Sequence, residues 1–405
     1  MRLLLSFAAL FLSVILLQLS SGGVGPLDAL QGRDYGFTTP QIGLLGSSHF
    51  IGFFIGCWWV PRIMGSVGHS RAFAVCAAFG AIGLLAHTLT TDPYVWAILR
   101  IASGLCVAGC YTVVESWLQA KITNATRGRA MGVYRGVDIG GSLVAQMLIG
   151  ALANVETYVA YNLLALLCCA SLLPLALTTS VPPPTGAAPK LRPLLALSRS
   201  PLAVGGVIVA GLSTATYRMV GPIYGAEMGL DAADIGLFLA LFVAGGAVSQ
   251  LPSGWVADKF DRRWVLIAVS ALSLLACVIS LIADGRSGIL AASAIFGFIT
   301  FPIYSVAAAH AHDFAADDER VELSAALLFY YAVGAIAAPV VVSALIDRYG
   351  PASFFYFIAV GHAGLGLFGL WRMWVGDTVT ERTAYVYAPR TTLILGRLMK
   401  SFREK

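Results

Sequence analysis

Residues Gly254–Arg263 read GWVADKFDRR, and the fold follows from where that stretch lies. Long apolar segments flank it on both sides, and Asp258, Lys259, Asp261, Arg262 and Arg263 crowd the short gap between them. In a soluble chain the same residues would be an ordinary solvated turn. Here each flank is long and apolar enough to cross a hydrocarbon core of about 30 Å as a helix of roughly 20 residues. A compact charged turn between two such helices marks a membrane surface.

The rest of the chain agrees. Of 405 residues, 58% are hydrophobic and only 12% charged, about half the charged fraction of a soluble domain. Lipid offers the backbone no hydrogen-bond partners, so the apolar runs must be helices. We place spans near 3–31, 40–63, 71–91, 93–121, 127–154 and 157–178, then near 201–226, 232–257, 263–283, 287–313, 320–346 and 352–374. The expected fold is all-α and integral to the membrane, with twelve transmembrane helices. The expected domains are an N-terminal six-helix bundle (1–178), a linker (179–200) containing the Pro-rich Val181–Pro193, a C-terminal six-helix bundle (201–374) and a basic tail (375–405). The apolar run after Met1-Arg2 lacks a clean small-x-small cleavage site and reads as a retained first helix, not a signal peptide. In the tail, Ile394, Leu395, Leu398, Met399 and Phe402 recur at helical spacing among Arg397, Lys400 and Arg403. An interfacial helix and a disordered basic tail both fit that pattern.

An offset of 193 residues lays the first half on the second. Ile42-Gly43-Leu44 falls on Ile235-Gly236-Leu237, Gly104 on Gly297, Tyr111 on Tyr304 and Gly141 on Gly334. Val24-Gly25-Pro26 pairs with Val220-Gly221-Pro222 at an offset of 196. The halves are therefore pseudo-symmetric bundles. With both termini cytoplasmic, twenty Lys and Arg lie on that side and three on the other, which satisfies the positive-inside rule. The net charge of +5 then reflects topology and contact with the lipid bilayer, and nothing argues for nucleic acid. The seven cysteines all sit in apolar segments without a C-x-x-C pair and read as small buried hydrophobes.

Ionisable groups inside membrane helices are costly and are functional candidates by default. The fourth span aligns Arg100, Gly104, Tyr111 and Glu115 on one stripe, and the fifth aligns Arg135, Asp138, Ser142 and Gln146. Tyr217, Arg218 and Tyr304 add polar groups in the second half. Two such stripes on neighbouring helices either line an aqueous path or form a structural ion-pair network, for example Glu115–Arg135 or Arg135–Asp138. Arg100, Arg135 and Arg218 outnumber Glu115 and Asp138, a lean toward an anionic or carboxylate substrate. His310 and His312 beside Asp313 are a weak metal candidate, and His49 reads as a packing residue. No cofactor, metal site, P-loop or nucleophile–base grouping is recognisable, so an enzyme is not expected.

The opening stretch resembles the cytoplasmic loop motif of the major facilitator superfamily, G-x-x-x-D-R/K-x-G-R/K-R/K. Gly254, Asp258, Lys259, Arg262 and Arg263 match, and Asp261 replaces the second glycine. Arg100 and Gly104 resemble that family's fourth-helix R-x-x-x-G motif, which is linked to proton coupling. The fifth-helix Gly-Pro antiporter signature is absent. The first-half loop Pro61–Arg71 keeps only Gly68 and Arg71 of the pattern. That degenerate loop, with Val114-Glu115-Ser116 and Arg127-Gly128-Arg129, resembles the YcaD-type bacterial permeases.

The resemblance implies a monomeric secondary transporter of a small-molecule substrate in the bacterial inner membrane, working by alternating access with protons as coupling ion. Arg100, Tyr111, Glu115, Arg135, Asp138, Gln146, Tyr217, Arg218 and Tyr304 are its expected substrate and proton path. The gating residues are Gly254, Asp258, Lys259, Arg262, Arg263, Gly68 and Arg71. An uncoupled facilitator and a non-transporting receptor or scaffold are the alternatives. Substrate and direction are not legible.

Overall fold

Twelve helices are long and apolar enough to cross a membrane: Phe7–Asp34, Thr39–Val67, His69–His87, Pro93–Lys121, Arg129–Ala153, Thr157–Leu177, Pro201–Glu227, Ala232–Gln250, Arg262–Ile282, Gly285–Asp313, Arg320–Tyr349 and Ser353–Val375. In chain order they are the first to twelfth spans. The computed structural model describes residues 2–122, 127–178, 190–316 and 318–375. The tail, its expected interfacial helix and residues 179–189 of the linker lie outside the described residues. Among the described residues there is no strand.

Short polar caps start the spans where the sequence turns. Thr38 and Gln41 form a reciprocal capping box at the second span, and Asp92 accepts from the amides of Tyr94 and Val95 at the fourth. Ser200 caps the seventh through Ala203 and Asp261 the ninth through Arg263. At the 193 offset Thr38 becomes Asp231, which caps the eighth span through the Asp234 amide at 2.8 Å.

The repeat is visible in the packing of each half. A Cβ at Gly52 would overlap the carbonyl oxygen of Ile101, and one at Gly104 the carbonyl oxygen of His49. The second and fourth spans therefore touch backbone to backbone. At the same offset Gly245 meets the oxygen of Ala294, and Gly297 that of Phe242. In a membrane no hydrophobic effect drives helices together, so such close backbone approach supplies the attraction.

Packing divides the chain into two compact units, Met1–Ala188 with Gly229–Ala240, and Pro189–Met228 with Leu241–Lys405. Several spans are not single helices. The first breaks at Gly22-Gly23 between Arg2–Ser21 and Val24–Asp34, and the tenth breaks between Gly285–Thr300 and Ile303–Asp313, at Pro302. The seventh winds as a π-helix over Thr216–Val220. Since Gln18 and Gly211 keep the 193 offset while Val24 and Val220 stand at 196, three additional residues lie between Gly211 and Val220. A π-helix takes up extra residues without ending the span.

The Pro-rich composition reads simply as linker, yet residues Pro193–Arg199 form a short helix tied to the eleventh span. Arg199 donates to both carboxylate oxygens of Glu319, at 2.9 and 2.7 Å, and Arg192 donates to Glu322 at 2.8 Å. Those hydrogen bonds hold the Glu319 carboxyl below its ordinary value. The tie is therefore fully present above the usual carboxylate range and is lost only as pH falls through that lowered value. Exposed pairs of this kind are worth less than about 1 kcal/mol, so Arg199→Glu should leave global melting nearly unchanged. Hydrogen exchange of the 195–200 amides should quicken, and adding Glu319→Arg should slow it again. Unchanged exchange in Arg199→Glu would count against the tie.

Candidate functional site

In the first unit, the stripes of the fourth and fifth spans both converge on the first span. Arg100 Nε lies 3.0 Å from Asp28 Oδ2, and each side chain is only 2% exposed. The Tyr161 hydroxyl donates to the other Asp28 oxygen at 2.5 Å. Arg100 also donates to Ser103 Oγ at 3.2 Å, and Ser103 reaches His49 Nδ1 at 3.4 Å. Around this pair the aromatic packing is dense. His87 stacks on Tyr161 at 5.0 Å and 11°, and Trp96 packs against both rings. A small cavity beside the pair is lined by Ser20, His49, Arg100, Ser103, Cys106 and Cys168.

The first span also reaches Asp138. Gln18 Nε2 donates to Asp138 Oδ1 at 2.7 Å and to the Asp138 carbonyl at 3.2 Å. Gln146 Nε2 donates to the Gly22 carbonyl at 2.9 Å, where the first span breaks. A Cβ on Gly22 would come within 2.8 Å of the Ala145 methyl, so glycine lets the fifth span approach this closely. Glu115 accepts from the Tyr134 hydroxyl at 2.8 Å, joining the fourth and fifth spans. Tyr111 is buried beside it on the same helix, and Arg135 is half-buried.

Asp28, Gln18, Ser103, Tyr134 and Tyr161 of this array were not among the candidates. Asp28 carried a usable signal as the only acidic residue among residues 3–31. Gln18 carried only its polarity.

The second unit is built of rings where the first is polar. Tyr217 sits in the π-helix, fully buried, stacked on Phe242 at 4.2 Å and on Phe296 at 5.1 Å. Arg218 beside it is half-buried. Tyr304 meets Tyr331 edge-on at 5.6 Å. His362 and Ser213 form a buried pair at 3.0 Å.

The charged turn is tighter than a loop. Gly254, Asp258 and Lys259 belong to the last turns of the helix Ala232–Lys259, and Arg262 and Arg263 open the next helix, so only Phe260 and Asp261 lie between. Arg262 is 1% exposed. Asp258, four residues before it, is 3.5 Å away, but the shorter contact is to Asp313 at 2.6 Å, with the Ala309 carbonyl at 3.0 Å. Arg263 pairs with Asp261 at 2.9 Å, and Lys259 lies over the Trp255 ring at 4.7 Å.

In the first half, Gly68 turns the chain at φ +83°, a conformation that favours glycine, and Arg71 is exposed. At the 193 offset His69 stands where Arg262 stands, and it contacts Ser116 Oγ at 3.3 Å. His312 pairs with Ser324 at 3.1 Å, and His310 packs on Phe314. No group of three or more His, Cys, Asp or Glu suited to a metal occurs among the described residues. Six cysteines are buried and Cys169 is exposed, all as free thiols.

A two-fold helical repeat of six spans each, with polar groups inside the first bundle, is the architecture of a membrane transporter. The family model for the Major Facilitator Superfamily matches residues 10–209 and 202–390. The chain belongs to the major facilitator superfamily and is a multi-pass membrane transporter. It is 28% identical over 356 residues to the uncharacterized MFS-type transporter YcaD of Salmonella arizonae, covering 86% of this chain and 91% of that one. An uncharacterized MFS-type transporter of Yersinia pestis is also 28% identical, over 79% of this chain and 84% of the relative. Among solved structures, the nucleoside transporter NupG aligns with a TM-score of 0.77 at 12% identity, over 91% of this chain and 99% of NupG. A bacterial homologue of the lysosomal transporter Spinster aligns at 0.69 and 15%, over 91% and 94%. At those identities the likeness is one of fold.

Proposed function

We propose that the protein is a secondary active transporter that moves a small polar solute by alternating access and couples it to protons. The observation that supports this reading is the buried Asp138–Gln18 pair, a carboxylate held by a neutral amide inside the membrane. Intramembrane carboxylates of this kind serve as proton relays. The excess of cations counted from the sequence disappears once Asp28 is included. Arg100, Arg135 and Arg218 then stand against Asp28, Glu115 and Asp138, so charge no longer favours an anion, and a solute without net charge fits as well. We place both termini on the cytoplasmic side from the charge bias. A reporter fused at Lys405 should read cytoplasmic and one at Asp231 periplasmic; a periplasmic signal at Lys405 would overturn that orientation.

The test of function starts from a thermal-shift screen of small metabolites on purified protein, followed by flux in proteoliposomes under an imposed pH gradient. Asp138→Asn keeps the shape and an oxygen that can accept from Gln18. It should fold with nearly wild-type melting, lose proton-driven accumulation and retain solute exchange. Full accumulation in that variant would remove Asp138 from coupling. Flux in the wild type that ignores the pH gradient would make the protein an uncoupled facilitator.

A further inference from the structure

At the 193-residue offset Gln18 falls on Gly211 and Asp138 on Tyr331. Both pairs are in contact, but they are made differently. In the second unit a Cβ at Gly211 would overlap the carbonyl oxygen of Tyr331, and one at Gly334 that of Ile208, so the seventh and eleventh spans meet backbone to backbone. In the first unit Gly141 is kept, but Gln18 fills the other half of the seam and reaches Asp138. Gln18 is 1% exposed and Asp138 4%. A buried amide and carboxylate thus stand in one half where the other half has a glycine contact. Packing alone gives no reason for that exchange, because burying such groups is costly unless they are hydrogen-bonded.

The chemistry of an amide supplies a reason. A glutamine side chain carries a donor and an acceptor on one planar group, whereas a guanidinium only donates. Toward a carboxylate Gln18 offers its N–H. Toward the protonated acid, which gains an O–H donor, the same side chain can turn and offer Oε1, exchanging its longer 3.2 Å bond to the Asp138 carbonyl for one from the acid. Asp28 is in a different position, because its partner Arg100 only donates and has no acceptor for the O–H of a protonated acid.

Resting on the reading of this chain as proton-coupled, we propose that Gln18 is the positioning residue for the coupling proton. By exchanging donor for acceptor it keeps Asp138 hydrogen-bonded in both protonation states. The proton is then carried at Asp138, while Asp28 remains the counter-ion of Arg100. Away from the helix ends, the other charged groups on elements packed against this pair are Arg135 on the same helix, Glu115 held through Tyr134 on the fourth span, and the Asp28–Arg100 pair beyond the break in the first span; Arg2, Arg33, Asp34, Lys121, Arg127 and Arg129 stand at or near the ends of those elements.

The experiment is infrared difference spectroscopy of the full-length protein in lipid nanodiscs, between mildly alkaline and mildly acidic buffer, with the glutamine side-chain carbonyl isotope-labelled. Acidification should produce a carboxylic-acid band that is lost in Asp138→Asn. A shift of the labelled glutamine band should accompany it and be lost in both Gln18→Met and Asp138→Asn. Gln18→Met keeps the bulk without the amide; Gln18→Gly, which restores the second unit's seam, serves if the methionine variant does not fold. In either folded variant the Asp138 acid band should move in frequency. An Asp138 band that stays in place without Gln18 would overturn the proposal and leave proton coupling standing. An acid band lost in Asp28→Asn instead would place the proton at Asp28 and overturn it likewise. If no side-chain acid band responds to pH, this proposal fails, while gradient-driven flux decides separately whether the protein is coupled at all.

Discussion

Asp28→Asn is expected to cost about 3–5 kcal/mol of stability, the penalty for breaking a buried ion pair from one side. Arg100 and Asp28 are each 2% exposed and 3.0 Å apart, so the substitution takes the carboxylate from a guanidinium that water cannot reach. The Tyr161 hydroxyl can still donate to an asparagine oxygen, so the loss isolates the charge and not the hydrogen bond. The double variant Arg100→Gln/Asp28→Asn should regain most of the stability, because neither residual group is charged. Thermal melting in detergent is read by the fluorescence of the eight tryptophans, among them Trp96, which packs on Tyr161. A single variant that melts like the wild type would mean that water or another group already solvates the pair.

The second large effect belongs to the glycine seam. Gly104→Val should abolish folded, monodisperse protein, and Gly297→Val should do the same in the other half. Each added Cβ falls on a main-chain carbonyl oxygen, of His49 or Phe242, which has no rotamer to change. Ordinary overpacking costs about 1–3 kcal/mol. Here two whole helices must separate, so the cost lies at the top of that range or above it. Gly136→Ala is the matched control, with nothing within 4 Å of its Cβ, and should be neutral or stabilising by roughly 0.5–1 kcal/mol. Fluorescence-detected size-exclusion chromatography of the three variants decides. A monodisperse Gly104→Val would show that the second and fourth spans need not touch.

The spans were legible because the bilayer forces each one to solve its hydrogen bonding locally. The second span, expected at 40–63, runs Thr39–Val67, and the twelfth, expected at 352–374, runs Ser353–Val375. What links the spans was not legible. Asp138 finds Gln18 across 120 residues, and Asp28 finds Tyr161 across 133. Helical spacing orders residues along one helix and says nothing about which neighbour they will meet. Arg100 on the fourth span and Asp138 on the fifth are both answered from the first span, whereas Glu115 meets Tyr134 of the fifth. The burial of Arg262 was hidden for a related reason. A run of charges between apolar segments reads as a solvated turn, while Asp313, its closest partner, lies 51 residues on. The helix at Pro193–Arg199 escaped because prolines were read as breakers, although proline is well tolerated at a first helical position.

The seam between the second and fourth spans, and its copy between the eighth and tenth, also bears on how the two halves could drift apart in evolution. Each glycine there meets a carbonyl oxygen, an atom that every residue possesses. The contact therefore asks nothing of the facing side chain. The positions across from the glycines are His49 and Ile101 in one half and Phe242 and Ala294 in the other, so a titratable ring in one half answers to an apolar one in the other, and a large aliphatic side chain to a small one. The geometry of this seam constrains the small residues, and leaves their neighbours open to take a polar, aromatic or titratable role in one copy without disturbing the frame of either.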